Sequence, residues 1–298
     1  MFRYQAYCLN FSSDIPLTEC FEANSGQDDF TIKITRLEPP VLSATTIHRR
    51  GIMAQTAIGD NGALWLHWDG IATFRATGGT LLEVDPHVDD PDLLSLFTLS
   101  EALGLILFQR GNFLLHASAV QVGDKSWVFL GQPGAGKSTT CAAFVKAGCT
   151  LLSDDLVAIH FGPDEQPFLR PAYPQLKIWE NTVKGLGFSK EDLSPVSEGV
   201  NKFALQPRDN FNFEPVPLQR MYFLDNASTT RPLKVTELPA ETLKHFPLPN
   251  QFLTPETLKQ LFLQSILLGN RVDGIVISRF TDFDSLEQWV YNCLSSQQ

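Results

Sequence analysis

The sequence predicts an α/β protein, with strands and helices alternating over residues 90–298 behind a β-rich region over residues 1–89. Three observations predict it. The first third of the chain alternates apolar and polar residues with a period of two between turn sequences. An apolar run, Trp127-Val128-Phe129-Leu130, leads through a glycine-rich segment into the helix-forming run that starts at Ser138. A second apolar run, Cys149-Thr150-Leu151-Leu152, ends in the acidic pair Asp154-Asp155.

The elements follow in chain order. Strands are expected over Phe2 to Phe11, Phe30 to Arg36, Ala63 to Trp68, Ile71 to Ala76 and Leu81 to Val84. Gly59-Asp60-Asn61-Gly62, Asp69-Gly70 and Gly78-Gly79 supply turns between them. Glu38-Pro39-Pro40 to Arg50 reads as a connecting loop. Asp90 as an N-cap and Pro91 in the first turn open a helix that runs to about Gln109 and stops near Gly111. Strand-like runs follow at Phe113 to Leu115, Ala117 to Val122 and Ser126 to Leu130. Next come a helix from Lys137 to Ala147 and strands at Cys149 to Leu152 and Leu156 to Phe161. Lys184 to Val216 reads as loop. Thr254 to Leu268 has the spacing of an amphipathic helix, Val272 to Ile277 that of a strand, and Asp284 to Leu294 that of a closing helix.

Composition narrows the function classes. The 298 residues are 43% hydrophobic and 19% charged, enough to bury a sizeable core. Lys and Arg number 23 against 33 Asp and Glu, a net charge of -10, and His48-Arg49-Arg50 is a lone short basic clump. That balance argues against a nucleic-acid partner. Five cysteines (Cys8, Cys20, Cys141, Cys149, Cys293) without CxxC spacing indicate neither a disulfide framework nor a zinc site. The N-terminus lacks the long apolar run of a signal peptide, and Leu93 to Phe108 is interrupted by Glu101 and short of the roughly 20 residues of a membrane span. The expectation is a cytoplasmic protein with no membrane partner.

Gly131-Gln132-Pro133-Gly134-Ala135-Gly136-Lys137-Ser138 fits the phosphate-binding pattern G-x-x-x-x-G-K-[ST]. The glycines let the backbone turn tightly and aim successive N–H groups at one anion. The helix that follows adds the partial positive charge of its N-terminus. Lys137 reaches the β- and γ-phosphates, the Ser138 hydroxyl ligates Mg²⁺, and Thr139 continues the nucleotide-binding set. A strand ending in Asp154-Asp155, seventeen residues past Lys137, supplies carboxylates. One can hold the metal while the other accepts the proton of an attacking hydroxyl. His116 stands in the apolar run Leu114-Leu115-His116-Ala117, where a satisfied core histidine and a functional one are both open readings.

Taken together, His116, the loop from Gly131 to Ser138, and Asp154-Asp155 resemble the catalytic domain of HPr kinase/phosphorylase and its homologues, down to the 21-residue step from His116 to Lys137. The resemblance is specific from about Gly111 to Ile159. It implies a P-loop kinase domain of the HPr kinase/phosphoenolpyruvate carboxykinase type, using ATP and Mg²⁺ to phosphorylate a serine hydroxyl. It implies Asp154 as general base, Asp155 as the metal-side carboxylate beside Ser138, and His116 as an active-site residue with Lys137. The family's Glu-x-Arg-Gly signature has no counterpart in Tyr173-Pro174-Gln175-Leu176-Lys177-Ile178-Trp179 or Lys184-Gly185-Leu186-Gly187. The pattern is more similar to the HPr-kinase-like enzymes of peptide-modification gene clusters, such as lasso-peptide precursor kinases. A peptide or protein carrying an acceptor serine is then the expected partner, and the N-terminal region a candidate platform for it. The sequence gives no oligomeric state; the best-known relatives form hexamers, which leaves a homo-oligomer open. Lys177, Lys202 and Arg208 are candidates to add positive charge at the phosphates.

Two other functions fit the same residues: a kinase of a small alcohol such as free serine or a sugar, and a nucleotide-dependent switch without transfer. The switch is disfavoured by missing signatures. Asn201-Lys202-Phe203-Ala204 lacks the Asp of a guanine-reading Asn-Lys-x-Asp, and no Leu-Ser-Gly-Gly is present.

Overall fold

The computed structural model describes residues 1–23, 26–196, 201–226 and 229–296. The chain divides into two compact units, the first built from Met1–Leu114 with Pro247–Leu261 and the second from residues 115–196, 201–246 and 262–296. The first unit therefore extends beyond the expected boundary at residue 89. The reason is the helical segment after Asp90, which belongs to the first unit's core.

The first unit's strands are β1 (Phe2–Ala6), β2 (Leu9–Ser13), β3 (Phe21–Glu22), β4 (Phe30–Ile34), β5 (Ser43–Arg49), β6 (Ile52–Ile58), β7 (Leu64–Trp68), β8 (Ala72–Thr77) and β9 (Leu81–Pro86). They form one sheet in the order β3-β1-β2-β4-β9-β8-β7-β6-β5. Two expectations are corrected here. Phe2 to Phe11 is a hairpin, because Tyr7 and Cys8 both take left-handed backbone angles (φ 54° and 57°) and turn the chain back on itself. The expected loop at 38–50 contains β5, paired with β6 around the left-handed Arg50-Gly51 turn. Its pattern was opaque because Arg49 faces inward, where its guanidinium meets Glu101 at 3.1 Å.

The Asp90 carboxylate accepts the Leu93 N–H and opens α1 (Pro91–Phe97). A π-helical turn at Thr98–Ala102 separates it from α2 (Leu103–Gln109), with Ser100 at ψ -122°. The expected single helix is thus interrupted at the turn that carries Glu101. The 19 residues Pro91–Gln109 are long and apolar enough to cross a membrane, yet 78% of their most apolar window is buried in the protein. Phe97 packs edge-on against Trp68 at 5.1 Å, and the Gln109 side chain bonds the Gly62 and Ala76 carbonyls and the Gly79 N–H.

After β10 (Phe113–Leu115), the second unit contributes β11 (Ser118–Val122), β12 (Lys125–Gly131), α3 (Lys137–Lys146), β13 (Thr150–Ser153), β14 (Val157–Phe161) and β15 (Pro167–Arg170). Then follow β16 (Leu176–Trp179), α4 (Glu180–Leu186), β17 (Leu193–Pro195), β18 (Lys202–Leu205) and β19 (Val216–Asp225). The last elements are β20 (Arg231–Pro232), α5 (Leu238–Leu243), α6 (Pro255–Arg271), β21 (Asp273–Ser278) and α7 (Phe283–Ser295). The main sheet runs β14-β15-β19-β12-β11-β13, with β21 added on β19, and β16, β18 and β17 make a smaller sheet. The stretch 184–216, expected as loop, therefore holds the end of α4 and two strands of that smaller sheet, while residues 197–200 within it lie outside the described residues.

Strand β12 is parallel to β19, and β19 is parallel to β21, so the C-terminal ends of all three point the same way. In open α/β sheets that edge is where ligands bind. An aromatic core holds the layers in register. Trp127 and Phe129 of β12 pack on Phe144 of α3 at 5.7 and 5.2 Å, and Trp289 of α7 meets Phe144 at 5.6 Å and Tyr222 at 5.2 Å. The loop after β12 is fitted closely to β19. A Cβ on Gly131 would stand 2.8 Å from the Leu224 carbonyl oxygen and 2.7 Å from the Ala135 Cβ. Gly131→Ala is accordingly expected to lower stability by about 1–3 kcal/mol in urea unfolding, the usual cost of overpacking; an unchanged midpoint would contradict the close fit.

Candidate functional site

The segment 131–136 runs from the end of β12 to the start of α3, as its sequence predicts. Gly134 and Gly136 take left-handed angles (φ 78° and 96°), and Gly136 is the N-cap of α3. Its carbonyl accepts the Thr140 N–H at 2.8 Å, the first bond of the helix. The N–H groups of Lys137, Ser138 and Thr139 precede any intrahelical acceptor and are available to an anion. Lys137 is buried, and its Nζ donates to the Gly131 carbonyl at 2.9 Å across the base of the loop. Burial lowers its pKa, while the Asp155 and Asp154 charges pull it back up.

Asp154 follows β13 and is the most connected side chain of the site. Its Oδ1 accepts the Ser118 hydroxyl at 2.6 Å and the Ser138 hydroxyl at 2.9 Å, and its Oδ2 accepts the Lys177 N–H at 3.0 Å. The carboxylate is 5% exposed. Burial raises its pKa first and the neighbouring Asp155 charge second, against the lowering effect of the Ser118 and Lys177 hydrogen bonds. Ser138 and Asp155 are the expected metal ligands; the carboxylate that Ser138 bonds is that of Asp154. The reason is local. Asp155 takes a left-handed angle (φ 68°), which turns its side chain out of the strand's alternation. Its side chain is 23% exposed and pairs with Lys177 Nζ at 3.1 Å.

His116, between β10 and β11, joins this group through its Nδ1, 3.1 Å from the Asp155 carbonyl oxygen. A carbonyl only accepts, so Nδ1 carries a proton. The His116 N–H donates to the His245 carbonyl at 2.8 Å. His245, after α5, was not singled out by the sequence. Burial, then the Lys137 charge, then His116 push its pKa down to about 4, so it is neutral at physiological pH.

Of the expected basic candidates, Lys177 is brought to the site. Lys202 lies instead over the Trp179 ring at 5.5 Å, and Arg208 lies between β18 and β19, where its carbonyl accepts the Phe211 N–H. The sequence also missed Arg279, just past β21. Its N–H bonds the Asp225 carbonyl, its charge lowers the Lys137 pKa, and its Nε is buried with no hydrogen-bond partner among the described residues. Lys177 and Arg279 both follow the main motifs by many residues, and only the sheet topology brings them near. The assembled chemistry is an anion cradle: loop N–H groups and cations, bordered by one buried and one accessible carboxylate.

Comparisons with protein-family models and with curated proteins return no match. Among solved structures, the HPr(Ser) kinase/phosphatase from Coxiella burnetii is similar at 14% sequence identity, over 62% of this chain and 97% of that chain, with a TM-score of 0.32. The chemistry of the site therefore rests on its own side chains.

The neutral, buried His245 has a pH signature. The unfolded chain takes up a proton at this ring below about 6.5, whereas the folded chain resists it until about 4. Stability from this group is complete above that window and is lost as pH falls through it. Denaturant unfolding between pH 7 and 4.5 should show wild type losing up to about 1.4 kcal/mol per pH unit and His245→Gln losing less. Identical slopes would contradict the burial of a neutral His245.

Proposed function

We propose that the chain is an ATP- and Mg²⁺-dependent kinase that transfers the γ-phosphoryl group to a serine hydroxyl of a peptide or protein. The observation that carries this reading is the hydrogen bond from Ser138, the hydroxyl that ends the glycine loop, to the Asp154 carboxylate at 2.9 Å. A hydroxyl on the first turn of the loop helix and a carboxylate at a neighbouring strand end are the hard oxygen donors that suit Mg²⁺. Among the described residues no group of three or more His, Cys, Asp or Glu side chains forms a self-sufficient metal cage. That agrees with a metal held by few protein ligands and completed by phosphate oxygens and water. Bound there, Mg²⁺ would offset the charge of the β- and γ-phosphates.

The remaining side chains take roles from their geometry. The loop N–H groups and Lys137 hold the phosphates, with Lys137 exchanging the Gly131 carbonyl for phosphate oxygen. Asp154 has both oxygens engaged and is buried, so it serves the metal side. Asp155 is the more accessible of the two and pairs with Lys177, which supports giving it the acceptor hydroxyl. In the step itself the serine oxygen bonds the γ-phosphorus, its proton passes to an Asp155 carboxylate oxygen, and ADP departs. These assignments exchange the roles that the family resemblance implies for the two aspartates. Catalysis of this kind is mainly positioning and electrostatics.

The test is transfer from γ-labelled ATP with Mg²⁺ to a size-fractionated bacterial extract. Wild type should place the label on serine of a peptide or protein. Asp155→Asn should lose transfer by a factor of about 100 or more while keeping ATP affinity, the usual loss for a removed general base. Label on a small metabolite would contradict the acceptor class. Release as inorganic phosphate alone, or near-normal transfer by Asp155→Asn, would contradict the kinase or the role of Asp155 respectively.

A further inference from the structure

Resting on the kinase reading above, we infer that Trp179 and Lys202, on the outer face of the small sheet β16-β18-β17, bind the acceptor chain beside its serine. The acceptor this patch fits is an extended segment with an acidic side chain and an apolar one about two residues from that serine.

The face is set by strand register. Where β16 pairs with β18, Trp179 stands opposite Lys202 and Lys177 opposite Ala204, and Ser194 of β17 also stands opposite Ala204. Directly opposed residues share a face, and faces alternate along a strand. Leu176, Ile178, Leu193, Phe203 and Leu205 pack into the aromatic core beside α3. Lys177, Trp179, Ser194, Lys202 and Ala204 therefore turn away from it.

Along β16 this outer face runs from a buried end to an open one. Lys177 is buried, and its Nζ holds Asp155 at 3.1 Å. Trp179 is 54% exposed, whereas Trp65, Trp68 and Trp127 are buried. The step from Lys177 to Trp179 is two strand residues, roughly 6.6 Å. An extended peptide advances at the same rate. With its serine hydroxyl at Asp155, a side chain about two residues away comes level with the Trp179 ring.

The chemistry of the patch selects what it holds. A tryptophan ring left in water gains free energy when a ligand covers it, and its rigidity keeps the entropy cost small. The Lys202 ammonium lies 5.5 Å from the centre of that ring, so an apolar plate and a positive charge stand together. The charged strand residues of this face are Lys177 and Lys202, and none of its strand residues is a carboxylate. Lys177 is committed to Asp155, while Lys202 is half-exposed. A carboxylate from the acceptor complements Lys202, and an apolar side chain covers Trp179. Because one strand joins the patch to the reacting carboxylate, binding here also positions the serine.

Amidated synthetic peptides test this with γ-labelled ATP and Mg²⁺. Each carries one serine and has Glu, Lys, Leu or Ala placed in turn at the positions on either side, so that side chains supply the only carboxylates. At one position wild type should phosphorylate Glu peptides about threefold or more faster than Lys peptides, the scale of an exposed ion pair made against one opposed. Lys202→Glu should invert that order, a gain on Lys peptides that misfolding cannot produce, and Lys202→Arg should keep it. Trp179→Ala should lose the preference of wild type for Leu over Ala while keeping the preference for Glu. An unchanged Glu-to-Lys order in Lys202→Glu, an unchanged Leu-to-Ala ratio in Trp179→Ala, or no order in wild type overturns the site while the kinase reading stands. Label on extract proteins but on none of the peptides overturns a linear segment as the occupant. Label on neither overturns the kinase reading and the site with it.

Discussion

A carboxylate buried almost completely is costly unless donors surround it, and at Asp154 three do: two hydroxyls and one backbone N–H. Each donor belongs to a different element. Ser118 brings β11, Ser138 brings the first turn of α3, and the Lys177 N–H brings β16, so one side chain fixes the strand end, the loop helix and the small sheet relative to one another. The penalty is only partly offset, and the carboxyl keeps a raised pKa. A metal cation placed against it would relieve that, which is why the same group that organises the fold suits the metal side of the chemistry.

The left-handed turn at Asp155 is the second consequence. Having committed Asp154 inward, the chain sends the next carboxylate outward to Lys177, and the His116 ring braces the turn through the Asp155 carbonyl. Two adjacent aspartates thereby acquire opposite surroundings, one buried among three donors, one more accessible and ion-paired. Around them stand Lys137, Lys177 and Arg279, three cations against two carboxylates, with His245 held neutral by burial. In a chain of net charge -10 such a grouping of cations is a local reversal of the overall charge.

Much of the site was legible because its parts are local in sequence. The glycine loop, Lys137, Ser138 and the acidic strand end are close in sequence, and β12, α3 and β13 fall where periodicity puts them. What escaped depends on tertiary placement. The in-or-out fate of Asp154 and Asp155 is decided by one backbone angle that no residue pattern encodes. Arg279 and His245 lie in connections far along the chain and carry no motif. Strand β19, the parallel neighbour of both β12 and β21, lacks a clean alternation because it is covered by strands on both edges and packed on its faces. The β5–β6 hairpin hid behind an inward-facing arginine, and the β1–β2 hairpin behind a turn without glycine.

The central claim is that Ser138 and Asp154, not Asp155, form the metal side of the site. Electron paramagnetic resonance of Mn²⁺ titrated with ATP into wild type, Ser138→Ala, Asp154→Asn and Asp155→Asn measures it directly. The account predicts a protein-bound Mn²⁺–nucleotide signal in wild type and Asp155→Asn that is lost or weakened in Ser138→Ala and Asp154→Asn. Loss in Asp155→Asn with retention in Asp154→Asn would contradict it.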